Sequence, residues 1–296
     1  MSPGAGELDA ISAGLRCGQL IPYLGPRLLD MAAEPGVPSS DEALVQRLGK
    51  GQPVPARIRR NLTAVAQYIE NFRHRKVLRA RLREIFDVAV APTEVHRHLA
   101  AQTQLPLIVD TWYDDALLTA LHEQREPTSW GQVQGLSRAE HRDIWTLRFH
   151  ADGSAASAAE AACWATLIYK PIGCIRPDAN FLISDSDYVE VFTEIDIQTP
   201  IPPEVQTLRQ TRGFLFLGCR FATQVERSYA RQIMKRSAGP HYALIDAELT
   251  RNEARFLQEQ GIQAVSLSLA DFAAWCAAPD RLEPLVERKM ATASGL

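Results

Sequence analysis

Side chains that could perform acid–base chemistry are scattered along this sequence, and the spacing of each suggests a structural role. Asp114 and Asp115 lie between a short apolar run and a helical pattern, where adjacent carboxylates more naturally cap a helix than form a catalytic pair. His96 and His98 are two residues apart on a predicted helix and do not share a face, which disfavours a joint metal site. We therefore expect His96 to be structural.

The remaining titratable candidates lie in polar segments or at the ends of predicted elements. His141 and His150 belong to a polar stretch, and we expect both to be exposed to solvent. His241 begins a predicted strand, and Asp185 and Asp187 stand at the entrance to a short predicted helix, where carboxylates are favourable. Few candidates for a displaced active site are therefore available.

The cysteines are arranged without any C-x-x-C pair, which disfavours a structural zinc cluster. Because they are odd in number and lie on apolar segments, we expect them to be mainly buried free thiols, with a reactive nucleophile as the minority interpretation. The five are Cys17, Cys163, Cys174, Cys219 and Cys276.

The bulk composition is that of an ordinary globular protein and excludes several classes of function. The 296 residues carry a net charge of −3, whereas a nucleic-acid or anionic-membrane partner would favour a basic excess or patch. No run approaches the roughly 20 apolar residues needed to span a bilayer, and the first thirty residues have no apolar signal region. We expect a cytoplasmic protein without membrane or nucleic-acid partners.

The elements that must position these side chains alternate between strands and helices. A buried strand over Leu20–Leu24 meets Gly25, and a helical insertion over 36–103 follows it. A second strand over Leu105–Val109 precedes a polar surface excursion at 122–160, which holds one predicted strand, at 145–149. Further predicted strands cover 166–170, 180–183, 214–217, 241–245 and 264–267, and the predicted helices between them include 185–192, 202–210, 222–235 and 248–260.

This alternation predicts an α/β fold with a Rossmann-like, mostly parallel sheet that is covered by helices on both faces. We expect a single domain over 1–277, followed by a C-terminal tail at 278–296. In such sheets ligands bind at the carboxyl ends of the strands, so the turn after Leu20–Leu24 is a candidate ligand site.

An ordered series of segments resembles the sirtuin-like (Sir2-type) domain family over roughly residues 7–277. LIPYLGPRLL followed by PGVPSSDEALVQRL resembles the opening strand, the G-A-G phosphate loop and the helix entry of that family. EVHRHLAAQTQLPLIVDTWYDD resembles the stretch ending in T-T-N-Y-D-D, and LIYKPIGCI resembles K-L-H-G-S-I. FLISDSDYVEVF and FLFLGCRFA resemble the I-T-x-x-D-Y and F-L-G-x-S segments. The chain is most similar to the bacterial branch that lacks the zinc module and cleaves NAD in defence systems.

The resemblance implies two catalytic positions, and this sequence departs from the family at both. The family's asparagine, which holds the ribose and a water, falls on Trp112, and its general-base histidine falls on Ile172. An indole N–H donates a hydrogen bond and accepts none, and an isoleucine has no titratable group. These substitutions predict the loss of NAD hydrolysis and deacylation.

The phosphate loop that the resemblance implies is altered as well. Pro26 and Arg27 replace its alanine and second glycine, and Arg220 replaces the serine of G-x-S. Proline removes one backbone N–H from a phosphate cradle, whereas either guanidinium could bind a phosphate directly. The family residues that this sequence retains are Gly25, Asp114, Gly173 and Gly218.

Two hypotheses of different classes follow from the resemblance. The first is a sirtuin-like pseudoenzyme that serves as a nucleotide-binding or protein-interaction module, with NAD or another nucleotide as the ligand and a protein partner or a second copy as the contact. Trp112 then either fills the former nicotinamide pocket or stacks on a ring whose phosphates Arg27 and Arg220 hold. The second is an active NAD-consuming hydrolase of a bacterial defence or regulatory system with non-standard residues. Neither hypothesis involves zinc.

Overall fold

The structure is a computed structural model, and it describes residues 5–32, 36–51, 53–142, 144–195 and 201–277. The strands are β1 (Leu20–Leu24), β2 (Leu107–Asp110), β3 (Trp130–Gly135), β4 (Thr146–His150), β5 (Thr166–Lys170), β6 (Gly213–Leu217), β7 (His241–Leu244) and β8 (Ile262–Val265). The helices of the first half are α1 (Ala5–Arg16), α2 (Asp41–Gly49), α3 (Leu62–Arg73), α4 (Arg75–Phe86), α5 (Glu94–Ala101), α6 (Ala116–Gln124) and α7 (Arg138–His141). Those of the second half are α8 (Ala158–Ala161), α9 (Asp185–Ile195), α10 (Pro203–Arg209), α11 (Gln224–Met234), α12 (Arg251–Glu259) and α13 (Leu269–Ala277).

The eight strands form one sheet in the order β4-β3-β5-β2-β1-β6-β7-β8. Every pairing is parallel except that of β3 with β4 at one edge. The apolar runs of β1, β2, β5 and β6 are buried along their whole length, as expected of parallel strands that are covered on both faces. The predicted α/β, Rossmann-like fold is therefore confirmed.

The strand order reverses at β1, and this reversal locates the ligand site of the fold. From β1 the chain moves to β2 and on towards β4, and it later returns to the opposite side of β1 with β6, β7 and β8. Right-handed crossovers in opposite directions place their helices on opposite faces and leave a crevice at the carboxyl ends of the central strands. Helices α2 to α5 lie between β1 and β2 in sequence, as the predicted helical insertion requires.

Proline in β1 limits the pairing of this central strand on one side. Pro22 has no N–H to donate, and the register with β2 begins only at Tyr23. On the other side all five residues of β1 pair with β6, from Leu20 with Gly213 onwards. The strand is thus held mainly by β6.

Local hydrogen bonds explain where the helices begin. The side chain of Ser40 accepts a hydrogen bond from the backbone N–H of Ala43 at the start of α2, and Asn61 caps α3 in the same way. Capping boxes begin α5, α11 and α12. These signals lie in the sequence itself, although the helices predicted over 222–235 and 248–260 begin two and three residues before α11 and α12 do.

The expected surface excursion at 122–160 needs correction in its central part. β3 occupies Trp130–Gly135, is buried throughout, and lies inside the sheet between β4 and β5. Its polar side chains are satisfied internally, because Gln134 donates to the side-chain oxygen of Gln132 at 2.9 Å and accepts from Asn180 at 2.9 Å. A polar strand can therefore be buried here without unpaired amides.

The strand predicted over 180–183 is wrong, since these residues form an extended connection that is buried but lies outside the sheet. The predicted strands at 20–24 and 166–170 match the observed bounds, and the bounds of the other observed strands that were predicted differ by no more than two residues. The predicted tail at 278–296 lies outside the described residues. Within the described ranges, no helix is both long enough and apolar enough to cross a membrane.

Candidate functional site

A cavity of about 300 Å³, here called the central cavity, opens at the carboxyl ends of the central strands. Tyr23 and Gly25 reach it from the end of β1, and Trp112 reaches it from the turn after β2. Ile172 follows β5 and Phe221 follows β6. Because parallel strands end at the same edge of a sheet, segments distant in sequence converge on this one space.

Trp112 is fixed in the wall of the central cavity. The indole is 3% exposed, and its Nε1–H donates a hydrogen bond of 2.7 Å to the carbonyl oxygen of Pro38. Its ring centroid lies 5.9 Å from that of Phe86 and 5.3 Å from that of Tyr113. The only hydrogen-bonding group of the indole is thus occupied, and the ring presents only apolar surface to the cavity.

Ile172 also lines the central cavity and is 8% exposed. Its backbone carbonyl accepts a hydrogen bond from Leu182, which holds the extended connection against the end of β5. The two positions that correspond to the catalytic residues of the resemblance are therefore close to the same open space. Neither of their side chains accepts a proton.

The turn after β1 uses its own N–H groups internally. The N–H of Gly25 donates to the Leu217 carbonyl at 2.8 Å, and that of Arg27 donates to the Gly218 carbonyl at 3.3 Å. The N–H of Leu28 donates a hydrogen bond of 3.3 Å to the carbonyl of Gly25, and Pro26 has no N–H. A phosphate cradle needs free backbone donors, and this turn offers none.

The two glycines at this turn are explained by backbone packing. A Cβ on Gly25 would collide with the carbonyl oxygen of Gly218, and a Cβ on Gly218 would lie 2.7 Å from the backbone nitrogen of Leu28. Gly218 also has a φ of +69°, which other residues rarely adopt. The close approach of the β1 and β6 turns therefore accounts for both residues without a ligand.

Neither of the two arginines predicted at the site is among the lining residues of the central cavity. Arg27 is exposed and is not among the lining residues. Arg220 forms an ion pair of 3.2 Å with the fully buried Glu253, and it donates to the Glu248 carbonyl at 3.4 Å. Its guanidinium is already matched by a carboxylate on α12. Of the residues predicted to bind a cofactor, Gly25, Pro26 and Trp112 line the central cavity. Ile172, at the predicted general-base position, lines it as well.

Gly173 and Asp114 have structural roles beside the cavity. Gly173 has a φ of +88°, and a side chain there would collide with the carbonyl of Asn180. The Asp114 carboxylate accepts a hydrogen bond of 2.9 Å from the N–H of Ala116 at the start of α6. Asp114 thus bonds the first turn of α6 as expected, whereas Asp115, which occupies the N-cap position, makes no side-chain cap bond, so its predicted capping role is wrong.

A buried ion pair supports the turn that carries Trp112. The Lys170 Nζ lies 2.7 Å from the Asp110 carboxylate and 2.9 Å from the Asp114 carbonyl oxygen, and Lys170 is fully buried. The Asp110 carboxylate also accepts a hydrogen bond of 3.2 Å from the N–H of Trp112. Burial lowers the pKa of Lys170, but the charge of Asp110 outweighs it and the pKa is raised overall.

Carboxyl groups on two helix N-termini face the central cavity, and these residues were not predicted as a site. Asp41 and Glu42 begin α2, and Glu226 lies in the first turn of α11. Burial, with the neighbouring charge of Glu226, raises the pKa of Asp41 to about 7, and burial also raises the pKa of Glu226. In the sequence both positions have the pattern of helix caps, so only the fold reveals that they meet.

No histidine is among the lining residues of the central cavity within the described chain. His96 is buried and completes the capping box of α5 with Thr93, and burial lowers its pKa to about 4. Its expected structural role is therefore confirmed. His98 packs on α13, with its ring 5.5 Å from that of Trp275.

The expectation that His141 and His150 are exposed is wrong, because both are partly buried. A ring nitrogen of His141 lies 3.2 Å from the side-chain oxygen of Asn180, and a ring nitrogen of His150 lies 3.7 Å from the Glu160 carboxylate. His241, at the start of β7, accepts a hydrogen bond of 3.1 Å from the N–H of Phe214. These contacts hold neighbouring elements together.

The two aspartates at the start of α9 behave as predicted for a helix entrance. The Asp187 carboxylate accepts hydrogen bonds from the N–H groups of Ile183 and Ser184 at 2.9 and 3.0 Å. It also forms an ion pair of 2.7 Å with Arg75 on α4. Asp185 accepts a hydrogen bond of 2.5 Å from the hydroxyl of Thr63. Both carboxylates are engaged in joining helices.

The cysteines are free, and the prediction that they are mainly buried needs correction for two of them. Cys17 and Cys163 are exposed, Cys174 and Cys276 are buried, and Cys219 is intermediate. Cys219 lines the central cavity, but burial raises the pKa of its thiol well above the ordinary value, which disfavours a nucleophilic thiolate. In the described part of the chain no group of three metal-ligating side chains comes together.

A family model described as a SIR2-like domain matches residues 106–265, which is more than half of the chain. The matched segment includes the turn with Trp112, the position of Ile172 and the β6 turn. No curated protein matches the chain.

Proposed function

The chain belongs to the SIR2-like domain family, and from this premise we propose that it is a ligand-binding member that has lost NAD hydrolase and deacylase activity. Members of this family are associated with NAD, so the nucleotide-related origin of the site follows from the family. The loss of chemistry is our own inference. A protein partner or a second copy of the chain as a contact stays a prediction.

The observation that carries this proposal is the state of Trp112 and Ile172 in the wall of the central cavity. The indole N–H is committed to the Pro38 carbonyl, and the isoleucine has no acid or base. Cleaving the bond between nicotinamide and ribose by the family's route requires a group that orients water and a group that accepts a proton. Both requirements are unmet at these positions.

The residues present do not fit the diphosphate of NAD. The N–H groups at positions 25, 27 and 28 are bonded within the protein, and the guanidinium of Arg220 is paired with Glu253. The lining instead carries the carboxyl groups of Asp41 and Glu226, which repel phosphates. We therefore assign no reaction step to NAD in this cavity.

A second candidate function is an NAD-consuming hydrolase that uses a displaced carboxylate, and Asp41 is the observation that favours it. A carboxyl group with a pKa of about 7 in a cavity has the protonation behaviour of a general base near neutral pH. The same group is equally explained as one that binds a ligand. Turnover measurements separate the two functions.

The test measures, by chromatography, the release of nicotinamide from NAD in the presence of the purified full chain. Our proposal expects release no faster than in a protein-free blank. Turnover above the blank that an Asp41→Asn substitution removes would establish the second candidate and overturn our proposal.

A double variant, Trp112→Asn with Ile172→His, asks whether restoring the two family residues is enough for cleavage. Because the altered turn would still offer no free N–H groups to phosphates, we expect cleavage to stay at the blank level in this variant. Asp9→Asn, an exposed change on α1, is the matched control.

A further inference from the structure

The walls of the central cavity carry an excess of negative charge among the described lining residues. Asp41 and Glu42 approach from α2, and Glu226 approaches from α11. Arg60, which is exposed, is the one guanidinium among the described residues that line the same space. It forms no ion pair with these carboxylates. The charge of the cavity wall is thus the opposite of what an anionic ligand requires.

Polar groups on this wall also lack partners inside the protein. Within the described residues the Asp41 carboxylate makes no hydrogen bond and no ion pair. Tyr229, which is 4% exposed, has a buried hydroxyl that finds no hydrogen-bond partner among the described residues. The hydroxyl of Tyr23, also 4% exposed, interacts electrostatically with Glu226. Buried polar groups are normally paired, so the buried hydroxyl of Tyr229, beside the partly exposed carboxylate of Asp41, points to an occupant that supplies hydrogen-bond donors.

The rest of the lining is apolar. Leu62 enters from α3, Val225 from α11 and Phe221 from the β6 turn, and the ring of Trp112 closes the side opposite β6. Such a wall favours the burial of a hydrocarbon or aromatic body. Aromatic faces also attract a positive charge that lies above them.

We propose that the central cavity binds an organic cation, a primary amine or guanidine carried on an apolar or aromatic body, whose charge lies against Asp41 and Glu226 and the nearby tyrosine hydroxyls. This proposal rests on the proposed function, because it names the ligand class of the same non-hydrolytic site. An ammonium or guanidinium is a donor without an acceptor, which complements carboxylate oxygens. Its apolar body occupies the space beside Trp112 and Phe221.

The charge of this site changes near neutral pH. Asp41 faces Glu226 from α11, Glu42 from its own helix, and the hydroxyls of Tyr113 and Tyr188. The pKa of Asp41, raised to about 7 by burial and by Glu226, means that its carboxylate is protonated as the pH falls below that value. The amine stays charged throughout this range, so we expect its affinity to decrease as the pH falls from 8.5 to 5.5.

The experiment uses three indoles of similar shape that differ in charge: tryptamine as the cation, tryptophol as the neutral form and indole-3-propionate as the anion. Isothermal titration calorimetry with the full chain at pH 8.5 is expected to show that tryptamine binds about tenfold or more tightly than tryptophol, with the weakest binding for indole-3-propionate. At pH 5.5 the tryptamine affinity is expected to fall by about fivefold or more, because Asp41 then carries a proton. Equal binding of the three indoles would overturn the proposal.

Two variants and a control assign the effect to the carboxylates. Asp41→Asn is expected to weaken tryptamine binding by about tenfold and to reduce its pH dependence. Glu226→Gln is expected to weaken binding while its amide oxygen still accepts the hydrogen bond from the Thr223 N–H. Asp9→Asn is expected to bind as the wild type does. An unchanged tryptamine affinity in folded Asp41→Asn would overturn the assignment.

The nicotinamide assay keeps the two proposals apart. If the three indoles bind equally and NAD is not cleaved, only the cation proposal is refuted. If NAD is cleaved, the proposed function itself is refuted. Melting temperatures of all variants are compared first, so that a loss of binding in a misfolded protein is recognised.

Discussion

Replacing Lys170 with methionine tests how firmly the turn bearing Trp112 is held. The lysine is fully buried, and its Nζ is 2.7 Å from the Asp110 carboxylate. Removing one partner of a buried ion pair leaves the other charge unsolvated, which typically costs about 3–5 kcal/mol of unfolding free energy. We expect Lys170→Met to lose this amount at pH 8 in equilibrium denaturation with guanidinium chloride.

The pH dependence of this loss identifies its cause. Burial raises the pKa of Asp110 to about 6 even beside the lysine, and removing the lysine charge raises it further. A carboxyl group whose folded pKa exceeds its unfolded value stabilises the fold at low pH and loses that contribution as the pH rises through the folded pKa. The deficit of Lys170→Met is therefore expected to be smaller at pH 5 than at pH 8, by up to about 1.4 kcal/mol for each pH unit over which Asp110 titrates.

Two comparisons complete this prediction. The double variant Lys170→Met with Asp110→Asn is expected to recover most of the loss at pH 8, because no buried charge remains. Lys76→Met, at an exposed position on α4, is expected to leave the unfolding midpoint unchanged. If Lys170→Met unfolded like the wild type at pH 8, or lost equal stability at both pH values, the ion-pair reasoning would be refuted.

Three smaller effects are expected from other positions, each measured by the denaturation midpoint. Trp112→Phe leaves the Pro38 carbonyl without its donor and is expected to lose about 1–3 kcal/mol, whereas no change would show that this bond is immaterial. Gly218→Ala forces a side chain into a φ of +69° and towards the backbone of Leu28, so a loss of about 2 kcal/mol or more is expected, and neutrality would contradict the packing account. Burial lowers the pKa of His96 to about 4, so its contribution to the unfolding free energy is present above pH 6.5 and is lost as the pH falls towards 4. His96→Gln is expected to make the unfolding free energy less dependent on pH over this range. An unchanged pH dependence in His96→Gln would contradict this reasoning.

The fold could be predicted from the sequence where an apolar run is long enough to form a complete buried strand. Leu20–Leu24 and Thr166–Lys170 were predicted with their observed bounds because every residue in both strands is buried. β3 was missed because its sequence, WGQVQG, carries two glycines and two glutamines in place of an apolar run. Its burial depends on tertiary hydrogen bonds: the side chains of Gln132, Gln134 and Asn180 bond one another, and Gln134 also donates to the carbonyl of Arg176.

Only part of the central cavity could be predicted from the sequence. Family spacing led to Trp112 and Ile172, and the structure places both on the central cavity. The same spacing led to Arg27 and Arg220 but could not reveal that one is exposed and the other is paired with a carboxylate on α12. The cavity carboxylates were missed because such residues at helix starts are expected for capping alone, and their convergence depends on how α2 and α11 pack around the strand ends.

The most direct test of the central claim is a single-turnover measurement with NAD labelled in the nicotinamide ring. With protein in molar excess over NAD, even one slow cleavage event per molecule becomes visible as free labelled nicotinamide. We predict that the label stays in intact NAD for as long as it does without protein. Release of the label by the wild type, lost in Asp41→Asn and kept in Asp9→Asn, would contradict it.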